Sequence, residues 1–142
     1  MTPQNKIDRF QFENRFLSNF YPAAIEHEGI TYPSVEHYYV AMKTLDLEQR
    51  TFISQIGTAG LVKKYGRTLE IRPDWNEVKF GIMEIGLRKK FAIPELKEKL
   101  LATGDAYLEE GNWWGDVYWG VCNGTGENNL GKLLMQIREE LK

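Results

Sequence analysis

The sequence YPSVEHYYVAMK, residues 32–43, places two opposite charges in an otherwise apolar helical run. Pro33 and Ser34 indicate the start of a helix, because a serine side chain can accept a hydrogen bond from the exposed amides of the first turn. Glu36 follows in that turn, where the positive end of the helix dipole favours a carboxylate. This segment therefore predicts a helix that carries Glu36 near its beginning and Lys43 near its end.

Apolar residues surround the two charges on most sides of the predicted helix. Positions 35, 38, 42 and 45 recur at three- and four-residue steps and predict the main core face. The face that carries Glu36 and Lys43 also holds Val40 and Leu47. A helix that is apolar nearly all round is usually buried.

The spacing of Glu36 and Lys43 leaves two interpretations open. Seven residues separate their backbones by roughly 10 Å, which is too far for an ordinary ion pair on a helix surface. A sugar-sized ligand fits between them, because the side chain of Lys43 leans back toward the helix start. In the alternative, Lys43 reaches solvent and Glu36 only stabilises the helix end.

The composition is typical of one globular domain. The 142 residues are 42% hydrophobic and 27% charged, and no run approaches the ~20 apolar residues of a membrane span. The single cysteine, Cys122, excludes an internal disulfide, and two histidines supply a metal site poorly. Residues 1–9 lack the apolar stretch of a signal peptide. We therefore expect a cytoplasmic protein without membrane contact, metal or cofactor.

The net charge argues against a protein that grips nucleic acid mainly through phosphates. It is −2 at pH 7, whereas such proteins are usually basic. A pocket for one modified nucleotide needs few phosphate contacts and stays compatible with this charge. Four tryptophans offer stacking surfaces for a base.

The remaining pattern predicts a strand-rich beginning followed by helices. Residues 6–12 alternate as a short strand, Phe16 and Phe20 hold a turn that presents Asn19, and residues 24–32 form a hairpin around Glu28 and Gly29. Helices are expected from Leu47, from the capping Thr58 to Gly66, from about Trp75 to Phe91, from Pro94 to near Gly104, and over 129–141. The predicted fold class is α+β, a single compact helix-rich domain spanning 1–142 with a small antiparallel sheet near the N-terminus.

A glycine- and tryptophan-rich segment, residues 111–132, precedes the last helix. A long ordered loop of this kind is usually functional. Within it Asp116 stands beside Trp114 and Gly115, and this carboxylate serves either chemistry or a local turn. The spacing from Gly126 to Lys132 imitates a phosphate loop, but Leu133 stands where magnesium coordination requires serine or threonine. Glycine-rich backbone at a helix start still offers amides to a phosphate, or else only permits a tight turn.

Taken in order, these segments resemble the NADAR family, also called YbiA-like, over nearly the whole chain. The residues that carry the resemblance are 17–20, 29–43, 66–67, 71–75, 87–91, 114–116 and 126–131. The resemblance implies an N-glycosidase that hydrolyses the bond between a ribose and an amino group. The substrate it implies is ADP-ribose attached to guanine in nucleotides or nucleic acid. The alternative is a phosphorylated ribosylamino-pyrimidine of riboflavin biosynthesis.

The family pattern carries over onto individual positions of this chain. It implies catalytic roles for Glu36, Lys43 and Asp116. The substrate contacts it implies, together with the glycine-rich loop, are Asn19, Phe20, Arg67, Trp75, Trp114, Gly115, Gly124, Gly126 and Asn128. One departure is the segment 117–119, Val-Tyr-Trp, which stands where the family usually continues through glycines and which bears on substrate size.

The chemistry assigns the three catalytic groups different tasks. Breaking an N-glycosidic bond builds positive charge on the ribose and negative charge on the departing nitrogen. Glu36 is expected to act as the principal acid and base, with Asp116 orienting the ribose or water. Lys43 either attacks the anomeric carbon as a neutral amine and forms a Schiff base, or positions substrate as a cation.

Two further classes stay open beside the enzyme. One is a non-catalytic module that binds ADP-ribose, and the other is a small single-stranded nucleic-acid binder. For the enzyme, an ADP-ribosyltransferase toxin is the expected functional partner.

Overall fold

The computed structural model describes residues 5–142, which form two compact units. A central unit comprises Asn19–Ala92, and a terminal unit joins the chain up to Ser18 with Ile93–Lys142. The elements in chain order are β1 (Lys6–Ile7), a 3-10 helix (Phe12–Leu17), β2 (Pro22–His27), β3 (Ile30–Ser34), α1 (Val35–Ala41), α2 (Leu47–Ser54), α3 (Ala59–Gly66), α4 (Trp75–Lys90), α5 (Pro94–Ala102), β4 (Tyr107–Leu108), β5 (Gly111–Asn112), β6 (Val121–Cys122) and α6 (Asn129–Leu141).

The central unit is built around α1. Strands β2 and β3 pair antiparallel through the predicted two-residue turn, and β3 runs directly into α1. Helices α2, α3 and α4 all pack against α1. Every residue of α1 except Glu36 is buried, as its all-round apolar pattern predicts. Glu36 is therefore the one residue of α1 that is partly exposed.

The described part of the terminal unit contains two short parallel strand pairs, the 3-10 helix and two α-helices. Strand β1 pairs with β4, and β5 pairs with β6. Helix α6 packs against β4 and α5 through a buried stripe. The side chains of that stripe are Leu130, Leu133, Leu134 and Ile137.

The predicted fold class is confirmed: the described chain is helix-rich with small sheets, and the antiparallel pair β2–β3 lies near its beginning. The expectation that residues 1–142 form one domain stays a prediction. The predicted absence of a signal peptide concerns residues 1–9, and residues 1–4 of that range lie outside the described part.

Four local predictions are wrong. The helix expected to carry Lys43 near its end stops at Ala41, so Lys43 lies in the turn that follows. The strand expected over 6–12 shortens to two residues, because Phe12 already opens the 3-10 helix with a φ of 55°. Leu45, assigned to the core face, is 63% exposed because α1 ends at Ala41 and the helical periodicity does not extend to it. Phe20, assigned to the core, is 43% exposed, and only Phe16 of that pair is buried.

A close approach between α1 and α4 makes Gly86 sensitive to substitution. A Cβ added at this residue would lie 2.8 Å from two carbons of the Tyr38 ring. We expect Gly86→Ala to lower the free energy of unfolding by about 1–3 kcal/mol, because overpacking forces the ring or the helix to move. Urea denaturation measures this loss. Gly81→Ala on the same helix is the control, since its Cβ meets nothing within 4 Å, and equal losses in both variants would contradict the packing argument.

Within residues 5–142 no helix is long and apolar enough to cross a membrane. The same residues contain no cluster of three or more His, Cys, Asp or Glu side chains suited to hold a metal ion.

Candidate active site

The start of α1 is fixed by Ser34 and His37. The hydroxyl of Ser34 accepts the backbone N–H of His37 at 3.1 Å, which is the predicted helix cap. The buried imidazole places Nε2 2.8 Å from the carbonyl of Ile56 and Nδ1 2.7 Å from Oγ of Ser34. A carbonyl only accepts, so Nε2 carries the proton and Nδ1 accepts from the serine hydroxyl. Burial lowers the pKa of His37, which keeps it neutral in this structural role.

Glu36 is held beside the turn that carries Asn19. The backbone N–H of Glu36 donates to the carbonyl of Asn19 at 3.1 Å, and Nδ2 of Asn19 lies 3.5 Å from Sδ of Met83. Oδ1 of Asn19 is buried and accepts no hydrogen bond from the described residues. A buried acceptor without a donor is costly, so this oxygen fits a position that a ligand donor completes.

Lys43 lies in the turn just after α1, with its amino group beside two aromatic rings. Nζ is 5.6 Å from the ring centroid of Tyr39 and 5.8 Å from that of Trp75. The two rings contact each other at 5.0 Å between centroids. A Cβ added at Gly66 would lie 3.9 Å from Nζ, so α3 also borders the amine. The half-buried lysine is thus enclosed by α1, α3 and the start of α4.

The surroundings of Lys43 lower its pKa below that of a free lysine. The main cause is burial, which penalises the charged ammonium. The negative charge of Glu36 raises the pKa, and the positive charges of Lys79 and Lys63 lower it. The site therefore favours a neutral amine more than water does, and it places a carboxylate within electrostatic reach of that amine.

The segment 71–75 ties the end of α1 to the start of α4. The N–H of Arg72 donates to the carbonyl of Lys43 at 2.8 Å, and its guanidinium pairs with Asp74 at 2.6 Å. Trp75 begins α4 directly afterwards and is only 8% exposed. The buried ring of Trp75 therefore contributes to the surroundings of Lys43. That this ring also stacks on a base stays a prediction.

Phe20 and Arg67 lie in the same unit and are exposed. Nζ of Lys63 lies 5.9 Å from the ring centroid of Phe20. This predicted substrate contact therefore lies near one of the two lysines that act electrostatically on Lys43. Arg67 caps the end of α3, and its side chain makes no hydrogen bond or ion pair to the residues that the structure describes. The guanidinium is available to an anionic ligand.

Trp114, Gly115 and Asp116 belong to the terminal unit. Oδ1 of Asp116 accepts the N–H groups of Tyr118 and Trp119 at 3.1 and 2.9 Å. Asn112 completes the turn, since its amide donates to the carbonyl of Asp116 and accepts its N–H. Asp116 thus forms the local cap that was the alternative to a catalytic role. Its part in chemistry stays a prediction.

Gly124, Gly126 and Asn128 precede α6 in the terminal unit. Asn128 is buried, with Oδ1 accepting the N–H of Glu110 and Nδ2 donating to the carbonyl of Leu108. Gly124 and Gly126 are exposed. The amide of Asn128 is engaged within the unit, and the contacts predicted between these three residues and a substrate stay predictions.

The structure thus brings Asn19, Glu36, Lys43 and Trp75 together in the central unit. It also adds three residues that the sequence interpretation did not assign to the site, Tyr39, Lys63 and Lys79. The signal for Tyr39 was its four-residue spacing from Lys43 in the helix that the sequence predicts, since that spacing puts two residues side by side on a helix. No comparable signal exists for the two lysines, because they come from α3 and α4.

Comparison with known proteins places the chain in one family. The NADAR domain matches residues 7–142. N-glycosidase YbiA of Escherichia coli is 40% identical over 129 residues, which cover 88% of this chain and 80% of that protein. A riboflavin biosynthesis protein of Vibrio vulnificus is 37% identical over 131 residues, which cover 89% of this chain and 35% of that protein.

A solved structure also matches the whole fold. The NMR structure of the Escherichia coli protein YbiA superposes with a TM-score of 0.85 at 37% sequence identity. The match covers 99% of this chain and 87% of that chain.

Proposed function

The chain belongs to the NADAR family of YbiA-like N-glycosidases, and from this premise we propose that it removes ADP-ribose from the amino group of guanine. The enzyme class follows from the relatives, which are N-glycosidases. The choice of substrate is our inference from the central unit.

The position of Lys43 carries the proposal. An amine beside the rings of Tyr39 and Trp75, with a pKa lowered by burial, is suited to attack a carbon that carries partial positive charge. Glu36 supplies the acid and base that must move a proton when Nζ of Lys43 replaces the guanine amino nitrogen on the ribose. The two groups together match the chemistry of a ribose–nitrogen bond better than that of a passive binding site.

The proposed reaction proceeds in two stages. Neutral Nζ of Lys43 attacks C1′ of the ribose, and its proton passes to Glu36. The C1′–N glycosidic bond breaks, and the departing amino nitrogen takes the proton from Glu36. The C1′–O4′ bond then opens, the remaining N–H proton of the Lys43 adduct passes to O4′ to form a hydroxyl, and an imine is left between Lys43 and the sugar. Water adds to that imine, which releases the free aldehyde sugar and restores the amine.

Cationic side chains around Lys43 favour a phosphorylated sugar. Lys63 and Lys79 are near enough to act electrostatically on Lys43, and Arg67 is exposed at the end of α3. Phosphate oxygens form strong charge-assisted hydrogen bonds with such groups. A diphosphate between ribose and adenosine gives these cations two anionic groups to bind.

A second candidate substrate is a phosphorylated ribosylamino-pyrimidine. It carries the same ribose–nitrogen bond and one phosphate, and a riboflavin biosynthesis protein is among the relatives. The deciding experiment offers the protein each substrate separately and measures released guanine-containing product or aminopyrimidine by chromatography. We expect kcat/KM to be at least about tenfold higher for the ADP-ribosylated guanine. The reverse preference would overturn the proposed substrate, and binding without product would indicate a non-catalytic module.

We expect Asp116→Asn to lower kcat about tenfold or more, if its carboxylate orients the ribose or water as the family pattern implies. The amide oxygen of the variant can still accept the N–H groups of Tyr118 and Trp119, so the melting temperature should change little. Asp116→Ala removes that cap as well and should cost about 1 kcal/mol of stability. Steady-state kinetics and thermal melts measure both. Full activity in Asp116→Asn would leave only the turn-capping role.

The cytoplasmic location and the association with an ADP-ribosyltransferase toxin belong to the same proposal. Both follow from the proposed substrate, because an enzyme that reverses guanine modification is useful where a transferase modifies guanine.

A further inference from the structure

A cleft of about 430 Å³ lies within the terminal unit, and we propose that it is a second binding site, for a guanine base stacked on Trp113. The cleft is lined by residues from the segment 6–11, from β5 and from the turn after β6. The residues that line it include Lys6, Asp8, Arg9, Gln11, Trp113, Asn123 and Gly124, and Gly124 alone among them is also one of the substrate contacts that the family resemblance implies. Its volume is in the range of ordinary small-molecule sites. It uses no residue of the central unit.

Trp113 provides an aromatic ring that is not buried in the core. The side chain is 75% exposed, whereas tryptophan is usually well buried. The ring forms a T-shaped contact with Trp114, with 4.9 Å between centroids and 80° between planes. At its high exposure, the indole keeps a face open beside this contact. Planar bases stack on faces of this kind.

The backbone that carries Trp113 is held in place. Strand β5 pairs with β6 immediately before it, and Asn112 is bonded to both backbone groups of Asp116 immediately after it. The indole therefore projects from a short loop that is closed at both ends. A preorganised aromatic surface loses little conformational entropy when a ligand stacks on it.

Polar side chains that line the cleft offer the kinds of hydrogen-bonding groups that the edge of a base needs. The amides of Gln11 and Asn123 make no hydrogen bond with the described residues, so each offers a donor and an acceptor. The carboxylate of Asp8 adds two acceptor oxygens. Guanine presents two adjacent N–H donors next to a carbonyl, whereas adenine lacks that pair. The carboxylate thus favours guanine over adenine.

The charges of the cleft favour a base over a phosphate. Lys6 lies 3.5 Å from Glu109, and Arg9 lies 3.8 Å from Asp8, so each cation of the lining has an acidic neighbour. These four side chains sum to zero charge. A free phosphate would gain from the two cations and lose against the two carboxylates. A neutral heterocycle avoids that conflict.

Calorimetric titration of the full-length protein with guanosine, adenosine and ribose 5-phosphate tests the proposal. We expect guanosine to bind at least about tenfold more tightly than either other compound. Trp113→Ala should weaken guanosine binding at least about tenfold, in the range of one lost stacking contact. Asp8→Asn should reduce the preference for guanosine over adenosine. In the wild-type protein, the indole N–H resonance of Trp113 should shift on addition of guanosine.

Two controls separate this site from the catalytic one. Phe12→Ala removes an aromatic ring that is equally exposed, at 76%, but does not line the cleft, and it should bind guanosine normally. Lys43→Ala should also keep guanosine binding, because Lys43 does not line the cleft. Loss of binding in Lys43→Ala but not in Trp113→Ala would assign the nucleoside to the catalytic site and overturn the proposal. Absence of guanosine binding at millimolar concentration, or equal binding of ribose 5-phosphate, would overturn it as well.

Discussion

Replacing Glu36 by glutamine is expected to lower kcat on the order of a thousandfold, because the amide can neither take a proton from the attacking amine nor give one to the leaving nitrogen. The substitution keeps the size of the side chain, and the backbone N–H of Glu36 still donates to the carbonyl of Asn19. The loss of negative charge in the first turn of α1 should cost about 0.3–1 kcal/mol of stability. Single-turnover kinetics with the ADP-ribosylated guanine substrate measures the chemical step.

Glu48→Gln is the matched control for this variant. Glu48 also stands in the first turn of a helix, α2, and it is exposed. It should lose a similar, small amount of stability and no activity. A near-normal turnover rate in Glu36→Gln would remove Glu36 from the mechanism, and a large loss in Glu48→Gln would mean that helix-end charge matters more than acid–base chemistry.

Reduction with cyanoborohydride during turnover is expected to trap the sugar on Lys43, and Lys43→Arg is expected to lose roughly a thousandfold or more in kcat. An arginine keeps the positive charge but has no neutral amine at accessible pH, so it separates attack from charge. Mass spectrometry of the digested protein locates the adduct. Lys64→Ala, which removes an exposed lysine of α3, should form the adduct normally.

The adduct should also form faster as the pH rises. Only neutral Lys43 attacks, and its fraction grows until the pH passes the pKa of this lysine, which burial holds below that of a free lysine. The rate should therefore level off at a lower pH than for an ordinary amine. Full activity in Lys43→Arg, or turnover without any adduct on Lys43, would leave this residue only a positioning role.

Local chemistry was sufficient to predict several elements from the sequence. Ser34 and Thr58 cap their helices as expected, because the hydroxyl of each accepts a hydrogen bond from the backbone N–H three residues later. Such a bond forms within one turn of the chain and does not depend on distant residues. The hairpin around Glu28 and Gly29 follows from the same kind of short-range turn preference. The apolar stripe of α6 follows from periodicity alone.

Predictions that depended on distant packing were less accurate. The exposure of Leu45 and Phe20 depends on where α1 ends and on what covers the preceding turn. The parallel pairing of β1 with β4 joins segments about a hundred residues apart, since Lys6 aligns with Tyr107. Two-residue strands have no periodicity that a sequence pattern can detect.

The sequence by itself determined the family and the helix that carries Glu36, and it supplied the residues that we propose break a ribose–nitrogen bond. Those properties reside in short segments and in side-chain chemistry. Only the tertiary structure decided the surroundings that lower the pKa of Lys43, because they come from Tyr39 on α1, Gly66 on α3 and Trp75 on α4. Desolvation depends on how completely these neighbours exclude water, and that exclusion exists only once the helices have packed.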